Sequence, residues 1–95
     1  MKHCILVKWN ETVTDKAAIA EQAERVFAPV TGIPGVHGIT LRKNVIDRPN
    51  RYDLLIEIDM EPEALNVYDD SAAHHAWKDG FGARIEKKAI FDFEE

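Results

Sequence analysis

Between Arg51 and Met60 the chain reads RYDLLIEIDM, and its side chains alternate in kind. Tyr52, Leu54, Ile56 and Ile58 fall on one side; Asp53, Leu55, Glu57 and Asp59 fall on the other. A period of two is the mark of a strand with one face against a core. A strand of this kind cannot stand alone, so the rest of the sequence has to supply strands beside it and a layer above it.

The neighbouring segments do so. Lys2–Trp9 (KHCILVKW) reads as a strand, with His3, Ile5, Val7 and Trp9 on one face and Cys4, Leu6 and Lys8 on the other. Both faces are mostly apolar, which predicts cover on both sides. In TDKAAIAEQAERVFAPV, Ile19, Ala23, Val26, Phe27 and Val30 recur at helical spacing, and Thr14 is placed to cap a helix that has Asp15 in its first turn. Pro29 weakens or closes that helix, and Thr31–Gly35 (TGIPG) reads as a loop. Val36–Val45 predicts a second strand interrupted at Gly38, and Asp47–Asn50 (DRPN) a turn into the strand Arg51–Met60. Pro62 sits where a helix starts, and a second helical stretch over Ala72–Lys87 follows Ser71, with Ala73, Trp77, Phe81 and Ile85 four apart. Ala89–Phe93 (AIFDF) predicts the last strand.

The order is β-α-β-β-α-β with the second helical region split. It predicts an α+β, ferredoxin-like subunit in a single domain over residues 1–95: four antiparallel strands with helices on one face. The open face of that sheet carries Cys4, Leu6, Leu55, Phe91 and Phe93 among Lys8, Arg42, Asp53 and Glu57. Apolar anchors mixed with charges of both signs suit a second sheet, so a homodimer through the sheet face, closing a dimeric α/β barrel, is expected. Size points the same way: a chain of 95 residues buries only about 60–65% of its unfolded surface.

Composition removes whole classes of function. Hydrophobic residues make up 45% and charged residues 31%, ordinary proportions for a globular protein. A net charge of −5 argues against nucleic acid and against anionic membrane surfaces, and no apolar run approaches a membrane span. The N-terminus lacks the pattern of a signal peptide, and the one cysteine, Cys4, has no internal partner for a disulfide; a cytoplasmic location is expected.

Taken together, MKHCILVKW, IPGV, NVIDRPNRYDLLIEI, YDDSAAHHAW and the terminal IFDF resemble the stress-responsive α/β-barrel (Dabb) family along nearly the whole chain. The resemblance implies dimeric α+β barrels built from ferredoxin-like subunits. Most members of the family have no assigned activity. A few plant members are polyketide cyclases that close a linear tetraketide by aldol condensation, and others are stable stress proteins that assemble into larger oligomers. The cyclases use a His on the first strand, a Tyr and a His around the start of the last helical segment, and an Asp on the last strand that orients the second His. The matching positions are His3, Tyr68, His74 and Asp92. This chain departs from the family at Ser71-Ala72-Ala73-His74, where members often have His-Pro-Ala-His, and at Val26, where the cyclases carry a pocket tyrosine.

On that resemblance His74 is the expected general base, with Asp92 accepting a hydrogen bond from its ring and fixing the tautomer. Tyr68 would donate to a carbonyl oxygen as enolate charge develops, and His3 would bind the same ligand. Ile5, Val7, Phe27, Ile56, Trp77 and Phe81, together with Trp9, are expected to line a small apolar cavity between helices and sheet. The chemistry would be cofactor-free acid–base catalysis, of aldol, cyclase or isomerase type, on a small molecule. Two alternatives stand beside it. One is a stress-associated assembly protein in which a His–Asp pair only pins the last helix to the last strand. The other is a haem or quinol monooxygenase of the same barrel architecture. His75 points about 100° away from His74 on the helix and should face solvent. Adjacent histidines are poorly spaced for one metal ion, so no metal is expected. Some family members hold magnesium near the loop joining the second and third strands, where Asp47 and Asn50 are the only hints.

Overall fold

The protein, described from Met1 to Glu95 in a computed structural model, forms one four-stranded sheet with helices on one side. The strands are β1 (Lys2–Trp9), β2 (Val36–Lys43), β3 (Leu54–Met60) and β4 (Ile85–Phe93), in spatial order β2-β3-β1-β4 with every pair antiparallel. Helix α1 (Lys16–Phe27) crosses from β1 to β2; α2 (Leu65–Asp69) and α3 (Ala72–Phe81) lead from β3 to β4. This is the expected ferredoxin-like α+β arrangement. No helix is long and apolar enough to cross a membrane.

The alternations seen in sequence become the two faces of the sheet. His3, Ile5, Val7 and Trp9 of β1 and Leu54, Ile56, Ile58 and Met60 of β3 are buried beneath the helices. They meet Ile19, Ala23 and Phe27 from α1 and Ala73, Trp77 and Phe81 from α3 in one core. Burying a large apolar side chain is worth about 1.5–3 kcal/mol, so this cluster carries most of the stability.

Element boundaries differ from expectation where local hydrogen bonds compete with periodicity. Asp15, not Thr14, caps α1 by accepting from the Ala18 N–H at 3.0 Å. A 3₁₀ turn over Ala28–Gly32 containing Pro29 follows that helix. β2 stops at Lys43 rather than Val45: past the last cross-strand bond, from the Asn44 N–H to the Asp53 carbonyl at 3.0 Å, the Asn44 side chain turns the backbone, its Nδ2 donating to the Ile46 carbonyl at 2.6 Å. β3 begins at Leu54 rather than Arg51, so Asn44–Asp53 is one long connection and not a tight turn at Asp47–Asn50. The Asp53 carboxylate accepts from the Trp9 N–H at 2.8 Å and from Lys16 Nζ at 2.9 Å, tying α1 to the end of β1 instead of lying on the open face.

The last helix ends at Phe81, not Lys87, and β4 is nine residues long, from Ile85. Lys87 and Lys88 pair with Lys8 and Val7 across the ladder. The second edge of β1 needs a partner over its whole length, and Gly80 and Gly82 weaken the helix that would otherwise continue. Gly35 enters β2 at φ +90°, and a Cβ there would lie 3.1 Å from that of Ala64, so the left-handed turn and the close approach both require glycine.

Candidate functional site

Antiparallel pairing places Asp92 of β4 directly opposite His3 of β1, on the helix side of the sheet. His3 is 5% exposed, and its Nδ1 lies 2.5 Å from Asp92 Oδ1. The carboxylate accepts, so Nδ1 carries the proton and Nε2 keeps a lone pair. Unlike His3, Asp92 remains open to solvent, its side chain 39% exposed. A buried imidazole on an apolar face needs such a partner. Asp92 was expected to hold His74; the register of β1 and β4 gives it to His3.

His74 is held differently. Ser71 caps α3, its Oγ accepting from the His74 N–H at 3.1 Å and donating to the Tyr68 carbonyl at 2.6 Å. This cap fixes the join between α2 and α3. The His74 ring donates from Nδ1 to the Asp69 carbonyl at 2.9 Å, and no hydrogen bond joins it to Asp92. Its tautomer is therefore set by backbone, with Nε2 again left as an acceptor. His75 is exposed, as expected.

Tyr68 stands between the two histidines. Its ring centroid is 5.4 Å from that of His3, edge-on, and 5.0 Å from that of His74. The side chain is fully buried, and its hydroxyl has no hydrogen-bond partner, alone among buried side-chain polar atoms. Burial pushes the phenol pKa far above its usual value, and the Asp69 charge adds to the effect. The hydroxyl thus keeps its proton and is a donor without an acceptor, in a place where an unmet donor costs about 1–3 kcal/mol. The structure therefore brings together all four polar residues picked from the sequence as an array: Asp92–His3, then Tyr68, then His74.

The apolar residues expected to line a cavity do not line one of the two principal hollows. Ile5, Val7, Phe27, Ile56, Trp77 and Phe81 are buried against one another, with the Trp77 ring 5.0 Å from Phe27 and 4.8 Å from Phe81. Two indoles and two phenyl rings fill the space between the layers of so small a domain. A cavity of about 760 Å³ lies instead beyond the far end of β1, bounded by the start of α1 and the connection Asn44–Asp53. Trp9 is the one member of the expected aromatic set on its wall. Sequence reasoning missed this site. The signal available was the density of cations in KNVIDRPNR, which a turn assignment absorbed. Asn50 accepts from Arg51 and Asp47 lies on the cavity wall; no three His, Cys, Asp or Glu side chains converge as metal ligands do.

No curated protein matches the chain. Solved structures do. A dimeric ferredoxin-like protein of unknown function from Thermobifida fusca YX superposes with a TM-score of 0.82 at 20% identity, covering 99% of this chain and 89% of that one. A dimeric protein of unknown function and ferredoxin-like fold from Bacteroides fragilis NCTC 9343 gives 0.81 at 16% identity, covering 99% and 94%. A protein from Arabidopsis thaliana gives 0.78 at 20% identity, covering 99% and 93%. Identities this low speak to the fold. The sequence itself matches the model of the Stress responsive A/B Barrel Domain over residues 1–95, and the chain belongs to that family.

Proposed function

We propose that the protein is a homodimeric, cofactor-free acid–base catalyst acting on the carbon next to a carbonyl group of a small molecule. The observation that carries this reading is the Tyr68 hydroxyl, protonated, buried and without an acceptor, on a ring that packs against two imidazoles. An isolated unmet donor is a defect; beside a His–Asp pair it is a place for an oxygen that becomes negative.

In this scheme the substrate carbonyl accepts from Tyr68. His3 Nε2 takes the proton from the adjacent carbon, and the C–H electron pair moves onto the carbonyl oxygen as an enolate. Asp92 holds the imidazolium that results. The enolate then adds to a second carbonyl or is reprotonated, the proton returning from His3. His74, at the partly exposed rim, orients the substrate from the other side of Tyr68.

The open face of the sheet supports the pairing of two chains. Its cross-strand rows read Arg42–Leu55–Leu6–Ala89 and Thr40–Glu57–Cys4–Phe91, and Phe91 is 66% exposed. Lys2 lies within 4 Å of Glu57, Asp59 and Glu95, and Arg42 within 4 Å of Glu57, so opposite charges pair beside an apolar strip. The similar structures from Thermobifida fusca and Bacteroides fragilis are dimeric proteins, which supports the pairing of two chains here.

The chemical step is tested with acetophenone as a generic ketone, following exchange of its methyl protons in deuterium oxide by NMR. The wild-type protein accelerates exchange over buffer. His3→Gln and Tyr68→Phe, each folded by circular dichroism, lose at least tenfold of that acceleration. Equal rates in wild type and both variants would rule the assignment out.

A further inference from the structure

The cavity beyond Trp9 has a charge out of keeping with the molecule. Five of the twelve Lys and Arg residues line it (Lys8, Lys16, Lys43, Arg48 and Arg51) against two of the seventeen acids, Asp47 and Asp53. The lining is thus +3, on a chain of net charge −5. The two acids do not neutralise it evenly. Asp53 is occupied by the Trp9 N–H and Lys16 Nζ, and Lys8 lies 3.7 Å from Glu86 and donates to the Pro49 carbonyl. Lys43, Arg48 and Arg51 have no acidic side chain within 4 Å. Arg51 donates only to Asn50 beside it. The Asp53 hydrogen bond holds the Lys16 pKa above its ordinary value, so that cation stays charged.

Like charges gathered around a concave surface raise the local concentration of a counter-ion. Two guanidiniums offer the paired donors that fit a carboxylate or phosphate. The apolar part of the lining is the buried Trp9, Ala20 and Leu54 with Val45 and Ile46. Val45 is 88% exposed and Ile46 nearly half, although both are large aliphatic side chains on the rim of the hollow. The connection that carries Arg48 and Arg51 is closed at its base by the Asn44 N–H on the Asp53 carbonyl at 3.0 Å and held at its middle by Lys8 on the Pro49 carbonyl.

We propose that this cavity is a binding site for a small organic anion, a carboxylate or phosphate head on a flat apolar body. Lys43, Arg48 and Arg51 take the head, and Val45 and Ile46, beside the buried Trp9, take the body. The site is separate from the His3 array. It lies at the other end of β1, about 20 Å away at the usual rise of a strand, and its occupation does not depend on the chemistry proposed there.

The test uses phenyl phosphate, benzoate and inorganic phosphate as probes, titrated into the full-length ¹⁵N-labelled protein. Phenyl phosphate is expected to shift the Trp9 indole and the amides of Asn44–Asp53, while those of His3 and Tyr68 stay still. Raising salt from low to about 0.5 M weakens binding several-fold, since the contacts are screened. Arg48→Gln with Arg51→Gln weakens it at least tenfold; both are surface substitutions that leave the fold intact by circular dichroism. Benzoate binding more tightly than phenyl phosphate assigns the head as carboxylate and the reverse order as phosphate, either of which supports the site; inorganic phosphate binding as tightly as phenyl phosphate would overturn the part given to the apolar wall. Absence of any shift with 10 mM phenyl phosphate or benzoate, shifts confined to the His3 end, or equal binding by the double variant would overturn the proposal.

Discussion

The two ends of β1 solve the same problem, polar chemistry beside an apolar core, in opposite ways. At the His3 end the polar groups are enclosed: the imidazole is buried, its carboxylate arrives from the neighbouring strand, and one hydroxyl is left without an acceptor. At the Trp9 end the charges stay at the surface, around a hollow, and their counter-charges are outnumbered. Enclosure makes each hydrogen bond strong and each missing one costly; exposure makes single charges cheap to keep and lets them act only together. On the reading proposed above, the first end acts on a few atoms and the second attracts a charge.

Between them lies the aromatic packing of Trp9, Phe27, Trp77 and Phe81, and the largest expected effect is there. Trp77→Ala should cost about 3–5 kcal/mol in chemical denaturation, because the indole is fully buried and its neighbours cannot close the gap. A loss under about 1 kcal/mol would mean that the two ends share a void instead of being divided by a core. Next in size is the open sheet face. Phe91→Lys puts a charge amid Cys4, Leu6 and Phe93 and should raise the dimer dissociation constant at least tenfold in analytical ultracentrifugation. An unchanged constant would place the interface elsewhere. Smaller again is Asp92→Asn. Since the carboxylate is partly exposed, the loss of stability should be about 1 kcal/mol, while exchange on acetophenone falls at least tenfold. A loss of stability with full exchange would leave the pair at the enclosed end a purely structural one.

The sequence shows why one end was legible and the other was not. Alternation in β1 put His3 on the buried face, and a buried imidazole demands a partner, so the need was readable. The identity of the partner was not, because the start of β4 at Ile85 lay inside an apparent helical repeat of Ala73, Trp77, Phe81 and Ile85, and the β1–β4 register follows from that start. The same four-residue spacing correctly marked Trp77 and Phe81 as facing inward. Spacing carries no volume, however, and whether rings line a hollow or fill it depends on what crosses from the other layer. The Trp9 end was hidden for another reason. Its cations come from β1, α1, the end of β2 and a long connection, and the bend at Asn44 carries that connection to the cavity wall. Asn44 competing with a strand is a local choice that apolar periodicity does not record.

The smallest effect separates the two ends most sharply. Tyr68→Phe removes a buried hydroxyl that has no partner, so the variant should be as stable as the wild type or up to about 1 kcal/mol more so, while losing the exchange reaction. Stability gained with function lost is the mark of a group retained for what it does. The pH dependence gives a second reading of the same atom. Burial raises the Tyr68 pKa in the folded chain above that of the unfolded chain, which is near 10. Below pH 10 both states hold the proton and the group contributes no slope. Above it the unfolded chain releases the proton and the folded chain does not, so the folded state binds more protons and stability falls as pH rises, by up to about 1.4 kcal/mol per pH unit from this group. Denaturant midpoints between pH 9 and pH 11 should therefore fall less steeply in Tyr68→Phe than in the wild type. Parallel slopes would mean that the hydroxyl meets water in the folded protein, and the enclosed end would then be as open as the other.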